Sequence, residues 1–243
     1  MKIIVNGAAG KMGARLSEIV RENHELVGAA DAFSTTDDIA KSLSAITADA
    51  DGIIDFSFHT ATASLLEYAA ERGLPVVIAT TGHTPDECAM IEEYSTKIPI
   101  FISANMSVGV ALTVKLAKQA AAVFPDADIE IIEKHHNRKK DAPSGTALMI
   151  AKAVAGAANT TEFVYGRSGQ CLRKPGEIGI HAIRMGDVVG EHEVMINTGT
   201  ETITIAHSAH TRDIFAEGSI AALEFLKDQS AGLYNMYDML GRE

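Results

Sequence analysis

Two short stretches carry residue types whose spacing could do chemistry. The first is Gly7-Ala8-Ala9-Gly10-Lys11-Met12-Gly13. A dinucleotide pyrophosphate needs backbone N–H donors at a helix N-terminus and no side chain in the way. Glycines supply the tight turn and the close approach. The spacing here is G-x-x-G-x-x-G, not G-x-G-x-x-G, so context must carry the motif: a strand before it, a helix after it, and an acid after the second strand. That acid is Asp31, followed by Ala32 and Phe33 rather than an arginine. A carboxylate there accepts bonds from ribose hydroxyls and repels a 2′-phosphate, which favours NADH; Lys11 offers a cation and keeps NADPH open. Ala79-Thr80-Thr81 and Ser103-Ala104-Asn105-Met106 end further strands. Ligands of open α/β sheets bind at such ends, where small and hydroxyl side chains let a nicotinamide lie against backbone. A plain turn accounts for either segment equally well.

The second stretch is Glu133-Lys134-His135-His136-Asn137-Arg138-Lys139-Lys140-Asp141-Ala142-Pro143-Ser144-Gly145-Thr146-Ala147. Ser144 is an N-cap candidate, with Gly145 and Thr146 opening a helix whose free N–H groups can bind a carboxylate. Lys139 and one histidine lie close enough to reach the same anion. Together they form a carboxylate cradle with a proton donor beside it. The bland alternative is a capped helix with a solvated basic loop. Adjacent His135 and His136 on a strand face opposite ways, so shared metal ligation is disfavoured and no metal is expected. His207 and His210 read as structural or solvated.

The elements that must position these residues follow from periodicity. Strands are expected over 2–6, 25–31, 52–57, 75–80 and 99–103, with helices over 12–22, 61–72 and 85–96 between them. Such apolar strands separated by helices imply a parallel sheet covered on both faces. A helix over 108–124, a strand over 128–136 and a helix over 145–158 follow. Alternating strands over 179–185, 190–197 and 201–210 suggest antiparallel pairing. Helices over 214–227 and near 234–240 close the chain. The fold class is therefore α/β: an N-terminal Rossmann-type doubly wound parallel sheet over 1–106, and an α+β substrate and oligomerisation domain over 107–213. The segment 214–243 is expected to return to the first.

Bulk properties narrow the class. The 243 residues are 47% hydrophobic and 22% charged, a globular balance, with a formal net charge of −11. Such acidity argues against a nucleic-acid partner, and Arg138, Lys139 and Lys140 suit only a small anion. No apolar run spans a membrane, and the short run after Met1 is no signal peptide, so a cytoplasmic protein is expected. Cys88 and Cys171 lie far apart, outside any C-x-x-C motif.

The pieces GAAGKMG (7–13), ATTG (79–82), SANMSVG (103–109), EKHHNRKKDAPSGTAL (133–148) and IRMGDVVGEHEV (183–194) resemble, in this order, the 4-hydroxy-tetrahydrodipicolinate (dihydrodipicolinate) reductase family. The resemblance runs nearly end to end. It implies reduction of a cyclic dicarboxylate with NADH or NADPH, in the diaminopimelate route to lysine. It assigns proton donor/acceptor work to His135 and proton donation to Lys139. It gives substrate binding to His136, Ser144, Gly145 and Thr146, and cofactor contacts to Gly7–Met12, Asp31, Ala79–Thr81 and Ser103–Met106. Many members carry Glu at the position of Asp31, some with Arg next, and alanine is frequent at the position of Ser103. The family is typically a homotetramer joined through its substrate-domain sheets. Two rivals are a different Rossmann reductase, against which the 133–148 stretch argues, and a non-catalytic dinucleotide sensor.

Overall fold

The computed structural model describes every residue except Asn159, Thr161, Arg242 and Glu243. In chain order the elements are β1 (Lys2–Asn6), α1 (Lys11–Asn23), β2 (Glu25–Ala30), β3 (Gly52–Asp55), α2 (Thr62–Arg72), β4 (Val76–Ile78), α3 (Pro85–Ser95), β5 (Pro99–Ile102), α4 (Val108–Val123), β6 (Asp128–His135), α5 (Gly145–Ala157), β7 (Phe163–Tyr165), β8 (Ile178–Arg184), β9 (Gly190–Asn197), β10 (Thr202–Ala209), α6 (Asp213–Leu226), β11 (Gly232–Tyr234) and α7 (Met236–Met239). They form two compact units, Met1–Ser107 with the segment from Asp213 onward, and Val108–Arg212.

The first unit is built on a parallel sheet ordered β2-β1-β3-β4-β5-β11. Ile3, Ile4 and Val5 of β1, Ile53 and Ile54 of β3, and Val76, Val77 and Ile78 of β4 are fully buried. Apolar runs without alternation survive only where helices cover both faces. α2 stops where Gly73 takes a left-handed conformation (φ 63°) at no steric cost. β1 is followed on one side by β2 and on the other by β3, so the winding reverses there. In open α/β sheets the crevice outside such a point is where ligands sit.

The second unit carries a five-stranded mixed sheet ordered β10-β9-β6-β8-β7. One face packs on α4 and α5 through Ile129, Ile131, Ile178, Ile180, Val194 and Ile196 against Val110, Val114, Ile150 and Val154. The antiparallel expectation for the last three strands holds for β9 and β10, and β9 is also antiparallel to β6. It fails for β8, which runs parallel to β6 and to β7. Alternation reports which side chains face the core, not which neighbour a strand takes. α5 provides the long crossover a parallel return requires, and β8 and β9 then settle on opposite sides of β6.

Candidate active site

In the first unit the turn between β1 and α1 is shaped by its glycines. Gly7 sits at φ +80°, and a Cβ on it would lie 2.6 Å from the Phe56 carbonyl and the Ser57 nitrogen. A Cβ on Gly13 would lie 2.0 Å from the Gly7 oxygen, so the helix can approach the turn only with glycine there. Gly10 is the N-cap of α1 and offers no side-chain cap. The first N–H groups of α1 are therefore left for an anion.

Asp31 closes the turn. Its Oδ2 accepts from the Ala9 N–H at 3.1 Å and its Oδ1 from the Phe33 N–H at 2.8 Å. Beneath, Asp55 is buried and accepts from Asn6 Nδ2, Ser57 Oγ and Thr80 Oγ1, at 2.8, 2.6 and 2.6 Å. Burial pushes its carboxyl above the ordinary value, against these bonds. One polar residue thus ties the carboxyl ends of β1, β3 and β4 together.

A cavity of about 960 Å³ opens over these strand ends. Gly7, Gly10, Lys11, Met12, Asp31, Ala79, Thr80 and Thr81 line it. So do Lys41, Ser42 and Ser44, and the exposed rings of Phe33 and Phe58, edge to face at 6.1 Å. A dinucleotide fits this lining: glycine backbone for phosphates, a carboxylate for ribose hydroxyls, aromatic faces for a base. Ala8 and Ala9 are in the turn but outside the lining. Ser103, Ala104, Asn105 and Met106 also lie outside it, as a turn after β5 in which Ser103 Oγ donates to the Asn105 carbonyl at 2.7 Å and Met106 is buried.

In the second unit the chemistry gathers at the end of β6. Ile129, Ile131, Glu133 and His135 share its buried face. Glu133 is fully buried and receives four hydrogen bonds. Arg184 Nη1 and His135 Nδ1 reach Oε2 at 2.8 and 2.5 Å; Arg184 Nη2 and the Ser144 N–H reach Oε1 at 2.8 and 3.0 Å. Burial alone would push this carboxyl up, but the bonds from Arg184, His135 and Ser144 outweigh it and hold it below its ordinary value. Arg184 is held above its own, first by Glu133. It also donates to the Asp141 carbonyl at 2.6 Å, drawing in the basic loop.

Ser144 caps α5: its Oγ accepts from the Ala147 N–H at 3.1 Å and stands 3.1 Å from His192 Nε2. Gly145 and Thr146 follow as the first residues of the helix, and a Cβ on Gly145 would meet open space. His192 crosses the His135 ring edge to face at 5.3 Å. Burial, and then the nearby His135, push His192 down to about 4. His207 is its cross-strand partner on β10 and is lowered by burial too. His210 is exposed. Lys139 Nζ pairs with Asp141 at 2.8 Å, which holds the Asp141 carboxyl low. His136 follows the end of β6, with Nε2 3.5 Å from Arg212 and its affinity for a proton lowered by burial. No three-residue metal cluster occurs among the described residues.

Sequence reading missed Glu133, Arg184 and His192 as site residues. Glu133 stands two residues before His135, the period that puts both on one face. Arg184 and His192 enter only through the β6–β8 and β6–β9 registers. The aromatic pair at the cavity mouth was missed as well, since lone exposed phenylalanines carry no motif.

The chain matches the family model described as dihydrodipicolinate reductase, N-terminus, over residues 1–106, and that described as dihydrodipicolinate reductase, C-terminus, over residues 109–240. It is 47% identical to the 4-hydroxy-tetrahydrodipicolinate reductase of Caldanaerobacter subterraneus subsp. tengcongensis, over 99% of this chain and 98% of that one. It is 42% identical to the protein of the same name from Clostridium novyi, over 98% of each. The solved dipicolinate-bound dihydrodipicolinate reductase of Paenisporosarcina sp. TG-14 shares the fold, with a TM-score of 0.82 at 22% identity over 98% of both chains.

Proposed function

The chain belongs to the dihydrodipicolinate reductase family, and we propose that it reduces 4-hydroxy-tetrahydrodipicolinate to tetrahydrodipicolinate and water with NADH or NADPH, a step of the diaminopimelate route to lysine. The observation that carries the reading is local. His135, Lys139 and the capped start of α5 lie on one continuous stretch, organised by a single buried carboxylate. That combination suits a ligand bearing carboxylates and needing a proton.

Gly7, Gly10, Lys11 and Met12 would hold the pyrophosphate and Asp31 a ribose, with Ala79, Thr80 and Thr81 beside the nicotinamide. Ala8, Ala9 and Ser103–Met106 would complete the cofactor contacts. When bound, the reduced nicotinamide supplies the hydride. The N–H groups of Gly145 and Thr146, beside Ser144, bind one substrate carboxylate by charge-assisted hydrogen bonds, each worth roughly 1.5–3 kcal/mol. His136 contacts the substrate from the loop. Lys139 donates a proton, and His135 serves as donor or acceptor beside it. Neutralisation of Glu133 by Arg184 lets a dianion approach a site that contains a carboxylate. The first unit is the dinucleotide domain and the second the substrate domain. No helix among the described residues is long and apolar enough to cross a membrane. A cytoplasmic homotetramer joined through the second unit's sheet fits the family.

Loss of reduced-nicotinamide absorbance tests this, with substrate made in place by a synthase from pyruvate and aspartate semialdehyde. NADH and NADPH are run side by side. Oxidation only with all components present is the expected result, and the ratio of the two rates reports what Asp31 and Lys11 do. Cofactor binding without oxidation would replace the reductase reading with a dinucleotide sensor.

A further inference from the structure

Glu133 is assigned no part in the proton transfers above, yet it is fully buried and meets four hydrogen-bond partner atoms. We propose that Glu133 is a positioning residue that keeps the proton of neutral His135 on Nδ1, so that Nε2 is the nitrogen presented for proton transfer. The proposal rests on the reading of His135 as a proton-transfer group.

An ionised carboxylate offers about four lone-pair positions and no donor. Three of the four bonds here come from groups that can only donate, two from Arg184 and one from the Ser144 N–H, and the fourth partner is His135 Nδ1. Arg184 and a backbone N–H can only donate, so the carboxylate must accept from them. Its ionised form then leaves His135 Nδ1 no role but donor, at 2.5 Å. The proton of the neutral ring is thereby committed to Nδ1, as a carboxylate commits a histidine in other proton-transfer sites.

The opposite nitrogen is kept clear. Nε2 has no hydrogen-bond partner among the described residues. A Cβ on Gly190 would lie 3.1 Å from it, so a glycine at the start of β9 leaves that side open. The His192 ring, edge to face at 5.3 Å, restricts rotation of the His135 ring. The same carboxylate holds the Ser144 N–H, so the orientation of His135 and the entry of α5 are set by one group.

The decisive measurement is the long-range proton–nitrogen NMR spectrum of the protein labelled with ¹⁵N-histidine, with His135 assigned by its absence in His135→Gln. The proton on Nδ1 is the expected result; the proton on Nε2 would overturn the proposal, and neither result needs a Glu133 variant to fold. Kinetics give the second arm. Glu133→Gln must turn an amide N–H toward a donor, so kcat should fall roughly 10–100-fold while NADH affinity holds. Introduced into His135→Gln, the same change should cost less than about twofold further, because its effect acts through a ring no longer present. Equal losses in both backgrounds would reduce Glu133 to packing. Parental turnover in His135→Gln would sink the reading of His135 and the proposal with it. That is distinct from failure of the proposal alone, where His135→Gln is crippled but the parent carries its proton on Nε2.

Discussion

The proton donation proposed for Lys139 does not depend on how firmly that residue is fastened. Its ammonium pairs with Asp141 at 2.8 Å, and that partner is mostly exposed. Surface pairs of this kind contribute about 0–1 kcal/mol, so Lys139→Ala should leave the fold intact. Turnover should nevertheless fall by about 10²–10⁴, the usual scale for a lost general acid. Steady-state rates with saturating cofactor, beside an unchanged melting temperature, check this. Turnover within a factor of a few of the parent would remove Lys139 from the proton step. The stretch that carries the proposed chemistry was legible in the chain, because His135, Lys139 and Ser144 lie within ten positions of one another in a motif that resembles the family's. Glu133 was in the same stretch and passed over, since a glutamate in an alternating strand reads as solvent-facing until its neighbours on the face are known. Arg184, which keeps that carboxylate ionised, is 51 positions from it and reachable only through the sheet.

At the scale of elements, the turn from β1 to α1 depends on how closely a helix can approach backbone. Gly13→Ala would put a methyl 2.0 Å from the Gly7 carbonyl, and neither backbone can yield without moving the turn. A cost of about 1–3 kcal/mol and weakened NADH binding are expected. Gly10→Ala meets the same carbonyl at 3.3 Å and should cost far less. Urea midpoints and cofactor titrations of the two variants decide it; equal costs would show that the third glycine has no packing role. The fully buried strands of the first sheet were legible as unbroken apolar runs, and the glycines between β1 and α1 as a turn. β7 and β11 were not, being three residues long with no room for a period to show. The pairing direction of β8 was also illegible, because alternation fixes a face and leaves the neighbour to the crossover.

For the whole molecule the acid limb of stability discriminates between two physical effects. The chain carries a formal charge of −11, and protonation moves it toward zero as pH falls, relieving self-repulsion. Global charge therefore favours the fold on mild acidification, as does Asp55, whose carboxyl burial raises so that the fold takes up its proton more readily than the unfolded chain. Buried histidines oppose it. His192 is lowered from 6.5 to about 4 by burial, while in the unfolded chain it titrates normally. Between those values the unfolded chain takes up a proton the fold refuses. Stability is thus complete above about 6.5 and drains away as pH falls toward about 4, by on the order of 3 kcal/mol for this group. His136 and His207 act in the same direction, both lowered first by burial. The depressed carboxyls of Glu133 and Asp141 belong to a later window. Their contribution is intact above the ordinary carboxylate range and is lost only as pH falls through their lowered values. Denaturant midpoints at pH 7, 6 and 5 should therefore fall for the parent, against the trend set by net charge. His192→Gln keeps a polar group near Ser144 but removes the titration. It should start lower at pH 7 and be markedly flatter across this window. A variant whose midpoints run parallel to the parent's would show that His192 does not set the acid limb.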